Sequence, residues 1–233
     1  MKISAFAIPE IVLGKHSIKD DRLDQADKLV KAKKKTYAQA ELTGEHEARE
    51  ADVIIILKDT KMDLILGDLD FVDARLAKAP QEKEKIILDK MKVSLEKEDF
   101  ISSIGLTGQE KEVISGYGLL TLKPVVVITK EELENMGILS AKVLRESGFI
   151  SFLTVGDKEN RAWLIKKGAT AWEAAGVIHS DIQQGFIRAE IISFADFIVA
   201  GGETGAKQAG KMRLEQKEYI MQDADLVNFR FNK

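Results

Sequence analysis

The chain has 233 residues, 45% hydrophobic and 31% charged, which excludes a disordered polyelectrolyte and supplies enough apolar material for two modest cores. Thirty-five Lys and Arg stand against 38 Asp and Glu, a formal net charge of -3, so the chain lacks the positive field of a dedicated nucleic-acid binder and any RNA contact must be local. The absence of Cys excludes a disulfide framework, a thiolate zinc site and a cysteine nucleophile. No apolar run approaches the roughly 20 residues that span a bilayer, so a soluble cytoplasmic protein with no membrane partner and no resident metal is expected.

Lys2 to Ala7 alternate loosely and read as a strand, Pro9 to Ile18 supply another, and a helix follows through Leu23, Ala26, Leu29 and Val30. After a strand over Tyr37 to Leu42, the continuous β-branched run Val53 to Leu57 has the pattern of a strand buried on both faces of a parallel sheet, and Val125 to Ile128 is its twin. Between them, at about 61–98, two amphipathic stripes (Ile65, Leu69, Val72, Leu76, then Leu88, Met91, Leu95) flank Pro80 and predict an antiparallel helical hairpin. Thr129 with Glu132 and Thr170 with Glu173 are capping boxes that open helices, the second of which Gly176 can close. Short strands are expected over Phe152 to Val155, Arg161 to Ile165, Phe186 to Ser193, Met212 to Leu214, Tyr219 to Gln222 and Leu226 to Phe231, with a brief helix near Phe194 to Val199. Short strands around one helix in about 80 residues suggest an α+β module with the spacing of a ubiquitin-like β-grasp. In the turn before the last strand, Asp223 favours a type I geometry with negative φ at Ala224.

The strings Arg161-Ala162-Trp163-Leu164-Ile165-Lys166-Lys167-Gly168, Gly176-Val177-Ile178-His179-Ser180-Asp181, Gly185-Phe186-Ile187-Arg188-Ala189-Glu190 and Asn228-Phe229-Arg230-Phe231-Asn232 closely resemble the C-terminal TGS domain of the YchF / Obg-like ATPase family. Upstream, Asp21-Arg22-Leu23-Asp24, Leu66-Gly67-Asp68-Leu69 and Thr121-Leu122-Lys123-Pro124 resemble its nucleotide-binding and helical regions in the same order. The resemblance implies two domains: residues 1–149, a reduced P-loop-like α/β domain with the helical hairpin inserted, and residues 150–233, a β-grasp TGS domain.

A P-loop needs Gly-x-x-x-x-Gly-Lys-Ser/Thr, so that amides wrap the phosphates, Lys reaches the terminal ones and a hydroxyl holds magnesium. Here Ala7 stands for the first Gly, Gly14-Lys15 falls too far downstream and His16 replaces the hydroxyl. The family's Asp-x-x-Gly is matched at best by Glu41 to Gly44, and its base-reading Asn falls at Thr129 or Lys130. The expectation is a non-catalytic relative without bound cofactor, acting as a ribosome-, RNA- or translation-factor-associated adaptor. The alternatives are a weak ATP- or GTP-binding hydrolase with Mg, keeping Gly14, Lys15, Glu41 and Gly44 as remnants, and a module that meets a protein partner through the hairpin. RNA or partner contacts are placed on Arg161, Lys166, Lys167, Lys207, Lys211 and Arg213, which form one cationic patch if the sheet gathers them. Trp163 and Trp172 can stack on bases but fit a core role better; His179 reads as a structural turn.

Overall fold

The computed structural model describes residues 1–232; Lys233, the last residue of the expected second domain, lies outside the described residues. In chain order the elements are β1 Lys2–Phe6, β2 Gly14–Ile18, α1 Asp21–Leu29, β3 Lys34–Thr36, β4 Ala38–Thr43, β5 Val53–Leu57, α2 Lys61–Leu76, α3 Glu82–Glu96, α4 Gly108–Val113, β6 Val125–Ile128, α5 Lys130–Glu134 and α6 Met136–Glu146. There follow β7 Phe149–Thr154, β8 Glu159–Lys166, α7 Ala171–Ile178, α8 Ser180–Gln184, β9 Phe186–Ile192, α9 Phe194–Val199, α10 Glu203–Gln208, β10 Arg213–Glu215 and β11 Leu226–Phe231. The chain divides into two units, residues 1–16 with 40–147 and residues 17–39 with 148–232. Residues 17–39, which the sequence reading placed with the first unit, therefore belong to the second.

The first unit carries a sheet of order β2-β4-β1-β5-β6, in which β1 runs parallel to β4 and β5, and β5 to β6. Val53, Ile54, Ile55 and Ile56 are all fully buried, which is why this run lacks the polar alternation of a half-exposed strand. α2 and α3 form the expected hairpin, burying Ile65 and Val72 against Leu88, Met91 and Leu95, at about 1.5–3 kcal/mol per large apolar side chain. A buried carboxylate pins the next segment to the hairpin. Asp68 accepts from the Thr121 amide and hydroxyl, both at 2.7 Å, and from the Leu120 amide at 3.2 Å.

The second unit is built on a sheet of order β10-β9-β11-β7-β8-β3. The β7–β8 and β9–β11 pairs are antiparallel, whereas β7 and β11 are parallel neighbours. α7 lays Ala171, Ala174 and Ala175 on one face, against Phe152, Ile165, Ile191 and Phe229. On the other face Leu23 and Ala26 of α1 pack with Leu153, Ala162, Ile192, Phe197 and Leu226.

Three local expectations are corrected. Residues 9–11 form a turn and a bend and 12–13 are irregular, so the second strand begins only at Gly14. α7 runs through Gly176 to Ile178, because the Thr170–Glu173 box starts it and the His179 amide still reaches the Ala175 carbonyl. Tyr219 to Gln222 forms no strand: its ladder is one bridge, Thr170 with Ile220, and the Gln222 amide and Tyr219 hydroxyl turn instead to the Asp225 carboxylate, each at 2.9 Å.

Ala224 overturns the type I turn. Its φ is +63 and it is 2% exposed, held there by its amide donating to the Ser151 carbonyl at 2.7 Å. The left-handed region costs an L-residue about 1–2 kcal/mol, and removing one buried methyl costs about 0.8 kcal/mol. Strain relief outweighs the lost methyl, so Ala224→Gly is expected to stabilise the second unit by about 0.5 kcal/mol in urea unfolding. A lowered midpoint would show that methyl packing dominates.

Candidate functional site

In open α/β sheets ligands gather outside the carboxyl ends of the strands, where the strand order reverses. β1 is the central strand here, with β4 and β2 on one side and β5 and β6 on the other. Just beyond its end Ala7 takes φ +52, the conformation a Gly would adopt without strain. The Ala7 amide donates to Glu45 Oε2 at 3.3 Å. Glu45 opens the single 3-10 turn Glu45–Glu47 that follows Gly44 and β4. The first amide after β1 is thus engaged by a carboxylate of the chain itself. The connection from Ala7 to β2 is turn and bend, and it brings no helix N-terminus to this end of β1.

The remnant candidates are scattered about the sheet. Gly14 and Lys15 open the edge strand β2, with β4 lying between it and β1, a separation of about 9–10 Å across two strand spacings. The His16 ring contacts the Val12 carbonyl at 2.9 Å. Glu41 is in register with Lys2, at the start of β1, whereas Gly44 lies at the carboxyl end. The fold brings Gly44 and Glu45 to Ala7 and leaves Lys15 and Glu41 apart from them. Thr129 and Glu132 close the expected capping box around the first turn of α5, and Lys142 holds Glu132 at 2.8 Å, which with the Thr129 amide keeps this carboxyl below its usual range. Glu45 has no motif around it, and the positive φ of Ala7 has no Gly to announce it; neither was legible.

In the second unit the six cationic candidates separate into two groups. Arg161 and Lys166 lie on β8 with Lys167 just after it, whereas Arg213 is on β10, with β9, β11 and β7 between. Four strand spacings amount to about 19 Å, so the sheet forms no single patch. Lys207 pairs with Glu203 at 2.5 Å and Lys211 with Asp196 at 3.3 Å. Arg213 donates to the Tyr219 hydroxyl at 2.9 Å. Burial, then the hydrogen bond to Asp225, pushes the Tyr219 hydroxyl up to about 12. Lys166 and Lys167 are exposed and make no ion pair among the described residues.

Trp163 is half-buried against the core, near-parallel to Phe152 with ring centroids 6.3 Å apart, under the Arg161 guanidinium at 3.9 Å, and its Nε1 donates to the Thr154 hydroxyl. This is the core role. Trp172 is 44% exposed on α7, and His179 caps α8 by accepting from the Asp181 amide at 3.1 Å, as a turn residue does.

A mixed α/β chain with a five-stranded sheet carrying parallel β1, β4, β5 and β6, an inserted helical hairpin and a second mixed sheet is the architecture of the YchF GTPase of Schizosaccharomyces pombe. The two superpose with a TM-score of 0.79 over 99% of this chain and 97% of that one, at 19% identity, a likeness of fold alone. The family model YchF-GTPase_C, described as a protein of unknown function (DUF933), matches residues 149–232. The "Ribosome-binding ATPase YchF" of Bacillus subtilis (strain 168) is 32% identical over 252 residues, covering 80% of this chain and 69% of that protein. The protein of the same name from Haemophilus influenzae is also 32% identical, with the same two coverages, 80% and 69%. That of Escherichia coli O157:H7 is 42% identical over 139 residues, 59% of this chain and 31% of that protein. The chain belongs to the YchF family.

Proposed function

We propose that this chain is a nucleotide-independent, ribosome-associated adaptor of the YchF family that acts in the cytoplasm through a C-terminal β-grasp TGS module. The observation carrying the loss of nucleotide chemistry is the end of β1, where Glu45 takes the Ala7 amide. A phosphate there would face a carboxylate, with no amide-lined turn to wrap it. Lys15 and Glu41, the remnants of the alternative ATP or GTP hydrolase with Mg, stand on strands away from that point. The β-grasp reading is supported by the β7–β8 hairpin, the crossing α7 and the parallel central pair β7 and β11. Ribosome association rests on the name that the relatives carry, ribosome-binding ATPase. Lys166 and Lys167, exposed at the carboxyl end of β8, are the cations offered to RNA phosphates. A protein contact on the hairpin is favoured by the exposed Met62, Leu66, Ile86 and Val93.

Co-sedimentation with purified ribosomes tests this reading, with MgATP calorimetry beside it. The chain is expected to sediment with ribosomes equally with and without MgATP, and Lys166→Glu with Lys167→Glu to weaken that binding about tenfold or more at fixed salt. Micromolar MgATP saturation lost in Lys15→Ala would establish the hydrolase alternative. Undiminished ribosome binding by the folded double variant would remove the contact from β8.

A further inference from the structure

Five of the eight residues from Lys28 to Lys35 are lysines, and none of the eight is acidic. All five lysines are exposed in the second unit, around the turn that joins α1 to the edge strand β3. β3 lies parallel to β8 with Lys34 opposite Glu159, and one step earlier the Lys33 amide donates to the Asp157 carbonyl at 3.1 Å. Lys33 and the exposed Lys158 are therefore neighbours across that step, about 5 Å apart at strand spacing. Lys31 is two residues from Lys33, at most about 7 Å. Backbone separations this short lie inside the screening length of about 8 Å at physiological salt, so the ammoniums they carry act as one field.

Two of the lysines already have partners. Lys34 pairs with Glu159 at 3.2 Å and Lys35 with Asp24 at 2.6 Å. Lysines on an exposed edge strand also guard it against pairing with another chain, and that role accounts for these two. It does not account for Lys28, Lys31, Lys33 and Lys158, which lie off the strand and make no ion pair among the described residues. The acids beside them without a cation are Asp27, which accepts from the side-chain amide of the buried Asn160 at 2.6 Å, and the exposed Asp157. Four free ammoniums against two carboxylates leave a positive surface, and like charges set side by side repel unless an anion lies against them.

The surroundings select the kind of anion. Leu29 is the one large apolar side chain exposed between residues 28 and 35. A protein interface needs an aromatic or apolar anchor at its centre, and a membrane-surface segment needs an apolar face; the strip has neither. Tyr37, just after β3, and Trp163 of β8 are half-buried beneath Lys35 and Arg161, so no ring here is open to stack on the bases of an unpaired strand. What the strip offers is point charge, which suits the phosphates of a duplex whatever its sequence. We infer that Lys28, Lys31, Lys33 and Lys158 form a docking strip for the phosphate backbone of duplex RNA. The choice of RNA among polyanions rests on the ribosome reading, but the strip is separate from the cations named there. Lys166 stands at the opposite end of β8 from Glu159, about 23 Å away along the strand.

The probe is a mixed-sequence RNA duplex of about 20 base pairs, titrated into the full chain at several salt concentrations. The joint variant Lys28→Gln, Lys31→Gln, Lys33→Gln and Lys158→Gln is expected to bind about tenfold or more weakly, with a salt slope shallower by about three to four. The same four positions changed to Arg keep the charge and are expected to bind as the parent does. Changing four exposed lysines of the hairpin region, Lys78, Lys83, Lys85 and Lys97, to Gln removes the same net charge and is expected to leave the affinity within about twofold. Unfolding midpoints check that the variants fold. An unchanged slope in the first variant, an equal loss in the hairpin variant, or no saturation by about 1 mM would each overturn the proposal. So would tighter binding of an oligoglutamate, of phosphatidylserine vesicles or of the unpaired strand. Sedimentation with ribosomes separates this site from the reading it rests on. A chain that binds the duplex through the strip but does not sediment with ribosomes keeps the site and loses that reading; ribosome binding with an inert strip does the reverse.

Discussion

Replacing Gly205 with Ala is expected to destabilise the second unit by about 2–3 kcal/mol, a cost in the range of overpacked cores. A Cβ at this position would lie 2.0 Å from the Ala200 carbonyl oxygen and 3.1 Å from its carbon. Neither is the end of a flexible side chain. The corner between α9 and α10 is fixed by the Ala200 amide on the Asp196 carbonyl and the Gly202 amide on the Phe197 carbonyl, both at 2.9 Å. The helix propensity gained by exchanging Gly for Ala, about 1 kcal/mol, is too small to offset the clash. Gly185 provides the comparison, since its Cβ would also come within 2.0 Å of a carbonyl oxygen, that of Asn232. Asn232 follows the last residue of β11 and among the described residues is held by one backbone bond, to Gly185 itself at 2.9 Å, so it can yield, and Gly185→Ala is expected to cost only about 1 kcal/mol. Urea unfolding of the two variants checks the order. A Gly205→Ala variant as stable as the parent would sink the steric account.

What the sequence disclosed and what it concealed follows from how each element is held. Val53–Leu57 is legible because burial on both faces demands an apolar residue at almost every position, and Val125–Ile128 because its β-branched run is unbroken, although as the edge strand it buries only Val126 and Ile128 and leaves Val125 and Val127 half-buried. The hairpin is legible from its stripes, and α5 and α7 from capping boxes whose two hydrogen bonds are local in sequence. β3, Lys34–Thr36, is not, because its three polar residues join the sheet only by parallel register with Glu159 to Arg161 of β8. α6 escaped notice since Leu139 and Val143 are its only buried residues among those described, too short a stripe to stand out. The placement of residues 17–39 depends on contacts between Leu23 and partners such as Leu153 and Leu226, far away along the chain. At the candidate sites, the residue types were readable and their company was not. Strand order separates Arg213 from Lys166, and a backbone turn sets Glu45 against Ala7.

Arg22→Met is expected to cost the second unit about 3 kcal/mol at neutral pH, at the lower end of the range for breaking a buried ion pair from one side. The Arg22 guanidinium grips Asp20 with two bonds, Nε to Oδ1 at 2.9 Å and Nη2 to Oδ2 at 2.8 Å, and reaches Asp223 at 2.6 Å. Asp20 is 9% exposed and also accepts from the Ser151 hydroxyl at 2.9 Å, while Ser151's own amide donates to Asp223 at 3.1 Å. The cluster therefore ties the cap of α1 to β7 and to the turn before β11. Burial works against ionising Asp20, but the Arg22 bonds, its charge and the Ser151 hydroxyl outweigh it and hold the carboxyl below its ordinary value. A carboxyl depressed in the folded state contributes stability above its unfolded value, near 3.9, and loses it as the pH falls through the folded one. Without Arg22 the burial of Asp20 is left largely unopposed, so an ionised Asp20 becomes a cost that protonation relieves. The stability gap between parent and variant should be widest near pH 7 and narrower below about pH 4, where the variant's Asp20 is relieved by protonation while the parent's depressed carboxyl still keeps part of its contribution. Urea unfolding at about pH 7 and about pH 3.5 measures both ends; a gap that stays constant would mean that Arg22 stabilises through its aliphatic packing and not through Asp20.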